Sequence, residues 1–473
     1  MRDIPGGALE RVNFTFIAAI VAVATIGGFM FGYDSGVING TQKGLEAAFN
    51  LGRLGIGVNV GAILIGSSIG AFGAGRLSDL IGRRGVMMLA ACLFLVSALL
   101  AGAASNSVLF ILARIVGGFG VGAASVISPV YISEVTPADI RGRLSSVQQV
   151  MIITGLTGAF VANYLLAHFA GGSTAILWLG FPAWRWMFWL QAIPAGIYLL
   201  ALLIIPESPR YLVMRRRDAE AHRVLARLFG EGGADRKIGE IRASLASDLH
   251  KPKFSDLIDK TTGKIRPILW TGIGLAVFQQ FVGINVVFYY GATLWEAVGF
   301  SENDALMTNI LSGVLSIGAC LFTVAVVDKI GRRPLLLIGS AGMAVALATV
   351  AFAFSTATTG AGGAVTLPGA SGVIALIAAN LYVIFFNASW GPVMWVMLGE
   401  MFPNQIRGSG LAVSGFAQWI ANAAVSVSFP TLAAAPGLAP TYLGYAAFAA
   451  LSFVFVRAMV HETRGRELEE MQG

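Results

Sequence analysis

Twelve apolar segments run along the chain, each about as long as a helix must be to cross a lipid bilayer. A membrane-spanning helix needs roughly 20 mostly apolar residues. The segments fall into two groups of six, near 14–37, 55–75, 86–104, 108–131, 145–168 and 185–205, then near 267–291, 305–327, 335–354, 372–398, 409–430 and 440–460. We therefore predict an all-α membrane protein with twelve transmembrane helices in two pseudo-symmetric six-helix bundles.

The low charge content supports a membrane location. Hydrophobic residues make up 56% of the chain and charged residues only 12%, whereas roughly 25% charged residues are usual in soluble proteins. A net charge of +7 could suit nucleic acid. The basic residues lie in the loops, however, where membrane proteins collect them. We expect a lipid bilayer around the chain and no nucleic-acid partner.

The basic residues also predict the orientation. They follow the even-numbered segments: Arg76, Arg83, Arg84, Arg141, Arg143, Lys329, Arg332, Arg333, Arg407, Arg464 and Arg466. Cytoplasmic loops carry the excess of Lys and Arg. We therefore expect both termini in the cytoplasm, and the short loops favour the inner membrane of a bacterium.

One long polar stretch divides the chain. We predict an N-terminal bundle over 1–205, a cytoplasmic linker over 206–266, a C-terminal bundle over 267–463 and a cytoplasmic tail over 464–473. Linker charges alternate in sign, and Ala, Leu and Arg dominate 218–230. These features favour short amphipathic helices over a disordered linker.

Two charged motifs recur six segments apart. The candidate gate residues are Asp79, Arg83, Arg84, Glu134 and Arg141 in the first half, and Asp328, Arg332, Arg333, Glu400 and Arg407 in the second. We expect Asp79 and Asp328 on tight turns, with Glu134 and Glu400 at helix ends. Such pairs would latch two bundles together on the cytoplasmic side. The alternative is ordinary topology-setting charge, but the duplication favours two related halves with a site between them, as in transporters.

Two ionisable residues lie within the apolar segments, Asp34 in the first and Arg114 in the fourth. A charge at the bilayer centre costs roughly 2.5–3.5 kcal/mol on insertion scales, so such residues mark pathways or relays. If Asp34 loses Arg114 during a cycle, its carboxylate would take up a proton. The alternative is a static structural pair.

Uncharged amides form the candidate binding set: Gln148, Gln149, Gln279, Gln280, Asn285, Asn387, Gln418 and Asn422. Amides donate and accept hydrogen bonds, which suits sugar hydroxyls, and Trp395 and Trp419 offer flat apolar faces. Any one amide is more simply polar glue between helices. Taken over several helices, the set favours a site for a neutral ligand.

No phosphate-binding loop, catalytic triad or metal cluster is evident in the sequence. The only cysteines, Cys92 and Cys320, lie in apolar segments and form no ligand cluster. We expect no cofactor, no metal and no enzyme activity.

Several motifs together resemble the sugar porter family of the major facilitator superfamily. They are Gly75 to Arg84, Pro206-Glu207-Ser208-Pro209-Arg210, Phe278 to Asn285, Gly331-Arg332-Arg333-Pro334 and Gly391-Pro392-Val393-Met394-Trp395. The resemblance runs from about Phe31 to Arg466. It implies a carrier that works by alternating access and binds a hexose or pentose between its two halves, near mid-membrane.

The resemblance also implies roles for particular residues. The polar contacts to sugar would be Gln149, Gln279, Gln280, Asn285, Trp395 and Gln418, and the lining residues Phe31, Tyr290 and Trp419. Asp34 and Arg114 match the acid and its partner in proton symporters. The chain departs from the family at Ser316, where Asn is usual and one hydroxyl would be bound differently, and at Gln191, where a xylose symporter has a second acid.

We expect a functional monomer that takes up glucose or a similar monosaccharide with a proton. One alternative is uncoupled facilitated diffusion of the same sugars, with Asp34 as a structural residue. A less favoured alternative is a transporter-like sugar sensor.

Overall fold

The computed structural model describes residues 12–137, 141–247, 257–258, 263–359, 365–403 and 406–464. Ten of the described helical stretches are long and apolar enough to cross a membrane. One of them, Gly408–Met459, is 52 residues long and contains two crossings. A further crossing consists of two shorter helices, Ala183–Leu190 and Ala192–Leu202. The helices therefore account for twelve crossings in two six-helix bundles, as predicted.

The first half contains helices α1 to α8. Their bounds are α1 Phe14–Val37, α2 Gln42–Phe49, α3 Arg53–Ile81, α4 Arg83–Ala103, α5 Ser107–Val135, α6 Arg141–Ala170, α7 Ala183–Leu190 and α8 Ala192–Leu202. A hairpin of β1 (Ile176–Trp178) and β2 (Phe181–Pro182) joins α6 to α7. Three linker helices follow: α9 Pro209–Met214, α10 Asp218–Phe229 and α11 Glu231–Ser247.

The second half contains helices α12 to α19. Their bounds are α12 Pro267–Phe281, α13 Ile284–Ala297, α14 Glu302–Ile330, α15 Arg332–Ser355, α16 Ser371–Asn387, α17 Trp390–Met401, α18 Arg407–Leu432 and α19 Leu438–Met459. A second hairpin, β3 (Thr358–Thr359) with β4 (Val365–Thr366), joins α15 to α16. The predicted crossings match these elements to within a few residues, but the sixth, seventh and tenth are each broken into two helices.

Glycine makes the same turn in both halves. Gly82 between α3 and α4 has φ 88°, and Gly331 between α14 and α15 has φ 100°, a region that side chains with a Cβ rarely adopt. We expected Asp79 and Asp328 to lie on these turns, but they do not. Both belong to the last turn of the preceding helix, because each helix continues until its glycine can reverse the chain.

The charged turns and linker helices share one end of the molecule, which we call the basic face. Linker helix α10 packs against the first half there: the Asn13 N–H donates to the carbonyl of Leu228 at 2.9 Å. The Arg227 guanidinium lies 4.1 Å from the centre of the Phe16 ring. Leu225 and Leu228 are buried in the core of that half. Within 206–247, three short helices are described, and α10 packs on the first half.

The two halves meet along two pairs of helices, α3 with α18 and α6 with α14. Glycine permits both approaches. A Cβ on Gly57 would lie 2.3 Å from the carbonyl oxygen of Val427, and one on Gly313 would lie 2.5 Å from Oγ1 of Thr157. These contacts pair the second crossing with the eleventh and the fifth with the eighth, which is the pattern expected of two related halves.

Candidate functional site

An amide network lies where the seventh crossing breaks. Helix α12 ends at Phe281 and α13 begins at Ile284, with Gly283 between them at φ 81°. The break brings Asn285 back toward α12, so its amide donates to Oε1 of Gln280 at 2.5 Å. Gln280 in turn donates to Oε1 of Gln279 at 3.1 Å. Three of the predicted polar contacts therefore form one chain of hydrogen bonds.

Helix α18 supplies the fourth amide of this network. Nε2 of Gln418 donates to Oε1 of Gln279 at 3.4 Å, and Gln279 is held by the carbonyl of Trp390 at 3.1 Å. The side chain of Gln418 is buried, and its Oε1 has no hydrogen-bond partner among the described residues. A buried acceptor without a partner costs about 1–3 kcal/mol. This oxygen is therefore suited to accept a hydrogen bond from a ligand hydroxyl.

Aromatic side chains from both halves meet beside the network. The rings of Phe31 on α1 and Trp419 on α18 lie 5.9 Å apart between centroids. Tyr290 donates its hydroxyl to the carbonyl of Ser426 at 2.6 Å and packs its ring against Phe429. The predicted lining residues thus flank the line along which the two halves face each other.

Other predicted contacts are placed differently. Trp395 on α17 is 41% exposed and lies outside the amide network. Ser316 is fully buried, donates to the carbonyl of Ser312 at 2.7 Å and accepts from Asn387 at 3.1 Å. That arrangement is typical of polar contacts between helices. The side chain of Gln149 is half-buried on α6.

Asp34 and Arg114 form the ion pair that the sequence suggests. Nη1 of Arg114 lies 2.5 Å from Oδ1 of Asp34, and Nη2 donates to the Asp34 carbonyl at 2.9 Å. Both side chains are almost completely buried, and the guanidinium lies 5.6 Å from the centre of the Phe188 ring. Oδ2 of Asp34 and Nε of Arg114 have no partner among the described residues. The pair is therefore desolvated but incompletely hydrogen-bonded.

The gate residues of the first half form a closed cluster on the basic face. Nε of Arg83 lies 3.0 Å from Oε2 of Glu134, and its Nη1 lies 3.2 Å from Oδ1 of Asp79. Ser208 donates its hydroxyl to Glu134 at 2.5 Å. Glu207 accepts hydrogen bonds from the backbone N–H groups of Arg83 and Arg84 at 3.0 and 3.1 Å. It thereby satisfies two donors at the start of α4 that have no partner within the helix.

The second half repeats this cluster residue for residue. Nη2 of Arg332 lies 2.8 Å from Oε1 of Glu400 and 2.9 Å from Oδ1 of Asp328. Thr463 donates its hydroxyl to Glu400 at 2.6 Å. Glu462 accepts the N–H groups of Arg332 and Arg333 at 3.0 Å each.

Both clusters close within one half. Arg84 and Arg333 also stay within their own halves, bonding backbone carbonyls of Leu202 and Arg457. The side chains of Arg141 and Arg407 lie outside the described residues.

The two capping glutamates differ electrostatically. Burial raises the pKa of Glu207, and three backbone N–H groups only partly offset it. Burial also acts on Glu462, but four backbone N–H groups outweigh it and lower the pKa of that carboxyl.

On the opposite face, side chains of the first half bind the backbone of α13. The amide of Asn39 donates to the carbonyl of Phe288 at 2.8 Å and accepts from the N–H of Ala292 at 3.0 Å. Gln42 makes a similar pair of bonds one residue farther along α13, donating to the carbonyl of Tyr289 and accepting from the side-chain hydroxyl of Thr293. These two amides tie the halves together; we call them the amide clamp.

Ionic contacts surround the amide clamp. Nζ of Lys43 lies 2.9 Å from Oε2 of Glu296 and 3.5 Å from Oε2 of Glu302. Glu302 also accepts the N–H of Ser173 at 2.8 Å, and Nδ1 of His168 lies 3.1 Å from Oδ1 of Asn303. The halves are therefore held together at this face by polar contacts from four helices.

The amide clamp and the capping glutamates were not among the residues predicted from the sequence. Glu207-Ser208 and Glu462-Thr463 follow the sixth and twelfth crossings with the same acid–hydroxyl order, so the internal repeat held a signal for the caps. Asn39 and Gln42 carry no such signal, because their partners are backbone atoms of α13 and the side chains of Thr293 and Asn309, all about 250 residues away. Among the described residues, no group of three or more His, Cys, Asp and Glu is placed to hold a metal ion.

Residues 20–473 match the family model described as "Sugar (and other) transporter". The chain belongs to this family. It is 47% identical over 463 residues to a glucose transport protein of Synechocystis sp., with 98% of each chain covered. It is 36% identical to a D-xylose-proton symporter of Escherichia coli K12, with 98% of this chain and 96% of the relative covered. These relatives are transport proteins.

Solved structures agree with the sequence relatives. The fold matches a partially occluded inward-open conformation of the E. coli xylose transporter XylE with a TM-score of 0.82 and 35% identity, covering 96% of this chain and all of that one. XylE bound to 6-bromo-6-deoxy-D-glucose matches with a TM-score of 0.79 and 36% identity. The fold is that of the major facilitator superfamily, as the sequence motifs suggested.

Proposed function

We propose that this protein is an alternating-access carrier that moves a monosaccharide, glucose or a similar hexose or pentose, together with a proton. The observation that carries the proposal is the amide network at the α12–α13 break, which lies beside aromatic rings from both halves. Neutral amides offer donors and acceptors to hydroxyls without attracting a charged ligand.

The sugar would bind to the amides that still have hydrogen-bonding capacity. Gln280 and Asn285 lie at the end of the chain of hydrogen bonds, and Gln418 has a buried acceptor without a described partner. Gln149 would approach from the first half. Phe31 and Trp419 would pack on the apolar C–H face of the ring, since flat aromatic side chains contribute area without demanding hydrogen bonds.

Proton coupling would pass through Asp34. Removing one member of a buried ion pair costs roughly 3–5 kcal/mol, because the other charge is left unpaired. A cycle that separates Asp34 from Arg114 would therefore drive Asp34 to take up a proton. The arrangement is sensitive to this change, since the pair is already short of hydrogen bonds at Oδ2 and Nε.

The state of the two faces suggests where the carrier stands in its cycle. The amide clamp ties the halves at the opposite face, while the gate clusters of the basic face each close within one half. We assign the basic face to the cytoplasm, in the inner membrane of a bacterium with both termini inside, so this state is inward-facing. In the outward-facing state the gate residues would make contacts between halves, with Arg141 and Arg407 among them.

The same proposal assigns the parts of the chain. Residues 1–205 and 267–463 form the two bundles, 206–266 the cytoplasmic linker and 464–473 the tail. The carrier functions as a monomer, without a cofactor or enzyme activity.

Uptake of labelled glucose into proteoliposomes under an imposed proton gradient, acid outside, tests the function. We expect accumulation above the external level, abolished by a protonophore. Asp34→Asn should lose accumulation but keep exchange of labelled for unlabelled sugar at equal concentrations, which shows that the variant is folded. Accumulation by Asp34→Asn would contradict coupling through this residue.

A second candidate is uncoupled facilitated diffusion of the same sugars, with the buried Asp34–Arg114 ion pair serving as a static structural pair. Equilibration to the external level and no further would support it. A protein that binds sugar but neither accumulates nor exchanges it would instead be a sugar sensor.

A further inference from the structure

The hairpin between α6 and α7 exposes an unusually apolar tip on the opposite face. Strands β1 and β2 are joined by Leu179 and Gly180, both with positive φ, at 53° and 78°. Such two-residue turns normally carry Asn, Asp or Gly. Leu179 is 84% exposed here, with Ile176 62% and Trp178 53% exposed beside it. A tip of this kind is unfavourable in water.

Aromatic packing fixes the hairpin on the bundle. The Trp178 ring contacts the Trp186 ring edge-on at 5.3 Å, and Trp186 contacts Trp189 at 4.9 Å. Phe181 contacts Trp189 at 5.1 Å, and the indole N–H of Trp186 donates to the carbonyl of Trp178 at 3.2 Å. An isolated two-stranded hairpin is marginally stable, so these contacts hold it in one position.

The position corresponds to the edge of a bilayer. Trp189 donates its indole N–H to the carbonyl of Leu99 at 3.2 Å, and Leu99 lies about 24 Å above Arg83 along α4 by helical rise. Trp186 lies roughly one turn, about 5 Å, farther out. Trp178 therefore lies near the outer limit of a hydrocarbon core about 30 Å thick.

The tip also continues a surface that faces lipid. Leu99 and Leu100 on α4 and Ile193 and Ile197 on α8 are exposed apolar residues of membrane-crossing helices. Phe181 of the hairpin contacts Trp189 of α7, and the hydrogen bond from Trp189 to Leu99 places this contact beside α4. The apolar surface thus runs from the crossing helices onto the hairpin without a polar interruption at this contact.

We propose that this hairpin, residues 176–182, inserts its tip into the boundary between headgroups and acyl chains of the adjoining phospholipid leaflet. Trp and Tyr concentrate at that depth because an indole is apolar in its body and polar at its N–H. The hairpin would anchor the start of the sixth crossing, which is broken at Gln191 between α7 and α8. It thereby fixes the height of the first half in the membrane.

The second hairpin provides a matched control. Strands β3 and β4 lie at the same end of the molecule, between α15 and α16, but contain Thr358, Thr359, Val365 and Thr366. Thr366 is exposed and polar, so we expect it to stay in water.

Single cysteines at Leu179, Ile176 and Thr366 test the proposal, in a chain with Cys92 and Cys320 replaced by serine and sugar uptake retained. Each is labelled with an environment-sensitive fluorophore and reconstituted in phosphatidylethanolamine–phosphatidylglycerol nanodiscs, with and without lipids that carry a spin-label quencher near the headgroup. We expect blue-shifted emission at positions 179 and 176 and quenching several-fold stronger than at 366.

Two outcomes would overturn the proposal. Emission at position 179 like that of a label in water, with quenching no stronger than at position 366, would place the tip in solvent. Blue-shifted emission that lipid-borne quenchers do not reduce would place it against protein, such as a second copy of the chain.

Discussion

Glu207 and Glu462 occupy equivalent places in the two halves but differ in how easily they are protonated. Each carboxylate caps the first turn of a helix that follows a glycine turn. Burial raises the pKa of Glu207, whereas backbone N–H groups lower the pKa of Glu462 despite its burial. Structural equivalence between the halves therefore does not extend to their titration.

This difference predicts opposite effects on stability. A raised pKa means that the folded protein binds the proton more tightly, so the contribution of Glu207 declines as pH rises through the folded pKa. A lowered pKa means that the contribution of Glu462 is present above the unfolded pKa and is lost as pH falls through the folded one. At pH 7.5 we expect Glu207→Gln to leave the melting temperature unchanged or higher and Glu462→Gln to lower it.

Melting curves of both variants and the wild type at pH 7.5 and near pH 4 measure these effects. The two differences from wild type should shrink at the lower pH. A melting temperature that falls equally in both variants at pH 7.5 would contradict the assigned electrostatics.

The amide network leads to a prediction about affinity. Gln280→Ala and Asn285→Ala should each raise the apparent KM for sugar about fivefold or more, since a lost hydrogen bond in a buried site costs about 1–3 kcal/mol. Asn387→Ala is the matched control, because its buried amide binds Ser316 and the Val383 carbonyl instead. Uptake kinetics in proteoliposomes give the measurement, and normal KM values in both network variants would exclude this site.

The sequence predicted the residues of the site better than their contacts. Asp34 and Arg114 meet as expected, because two buried charges in one bundle have few other ways to be compensated. The contacts among Gln279, Gln280 and Asn285 depend on the break in the seventh crossing, and the sequence pattern there read as a continuous apolar segment. Hydropathy measures the length of a segment but not the local backbone at a glycine such as Gly283.

At the scale of elements, the amide clamp shows how the first half holds a single helix of the second half, α13, at this face. The Asn39 amide spans the carbonyl of Phe288 and the N–H of Ala292, which are partners i and i+4 on α13. It therefore recognises one turn of backbone. Gln42 contacts the next positions, donating to the backbone carbonyl of Tyr289 but accepting from the side-chain hydroxyl of Thr293. A contact to backbone depends on the register of α13 and not on its side chains.

We predict that Asn39→Ala shifts the carrier toward the state that is open at the face carrying the amide clamp, which we call the clamp face. The lost amide removes the bond to the Phe288 carbonyl and leaves the buried amide of Asn309 without its partner, which costs about 1–3 kcal/mol and corresponds to roughly a fivefold to 150-fold change in the equilibrium. Spin labels at Ala48→Cys and Thr366→Cys, one exposed position in each half, report the separation as a distance distribution.

Asn59→Ala is the control for this prediction. Asn59 is equally buried, but its amide binds only Gly55 and Ser107 within the first half. It should destabilise the protein without altering the ratio of the two distance populations. An unchanged ratio in Asn39→Ala would show that the clamp does not govern closure.

Element boundaries were predictable where charge or glycine ends a helix, and less so elsewhere. The turns at Gly82 and Gly331 lie where the basic motifs suggested. The sixth crossing is divided at Gln191, and the tenth at Ala388 and Ser389. Apolar content predicts neither division, but a proline three residues beyond each of them, Pro194 and Pro392, removes a helical N–H donor and accounts for the break.

At the scale of the whole molecule, two kinds of tie hold the clamp face together, and their magnitudes differ. The amides of Asn39 and Gln42 are buried, whereas the Lys43 side chain is 53% exposed and pairs with Glu296 and Glu302 in contact with solvent. Exposed ion pairs contribute about 0.2–1 kcal/mol. The buried amides should therefore set the balance between the two states, and the ion pairs should make it depend on salt.

Raising the salt concentration to 1 M should consequently shift the wild-type protein toward the state open at this face, by no more than about fivefold in the equilibrium. The reason is that salt screens the Lys43 pairs but leaves the desolvated amides largely unaffected. Lys43→Ala should show the same modest shift already at low salt and little further response to salt. The spin-label pair at positions 48 and 366 measures both. A salt response of full size in Lys43→Ala would locate the electrostatic tie elsewhere, and a shift well above fivefold in that variant would show that the ion pairs, not the amides, hold the two halves closed.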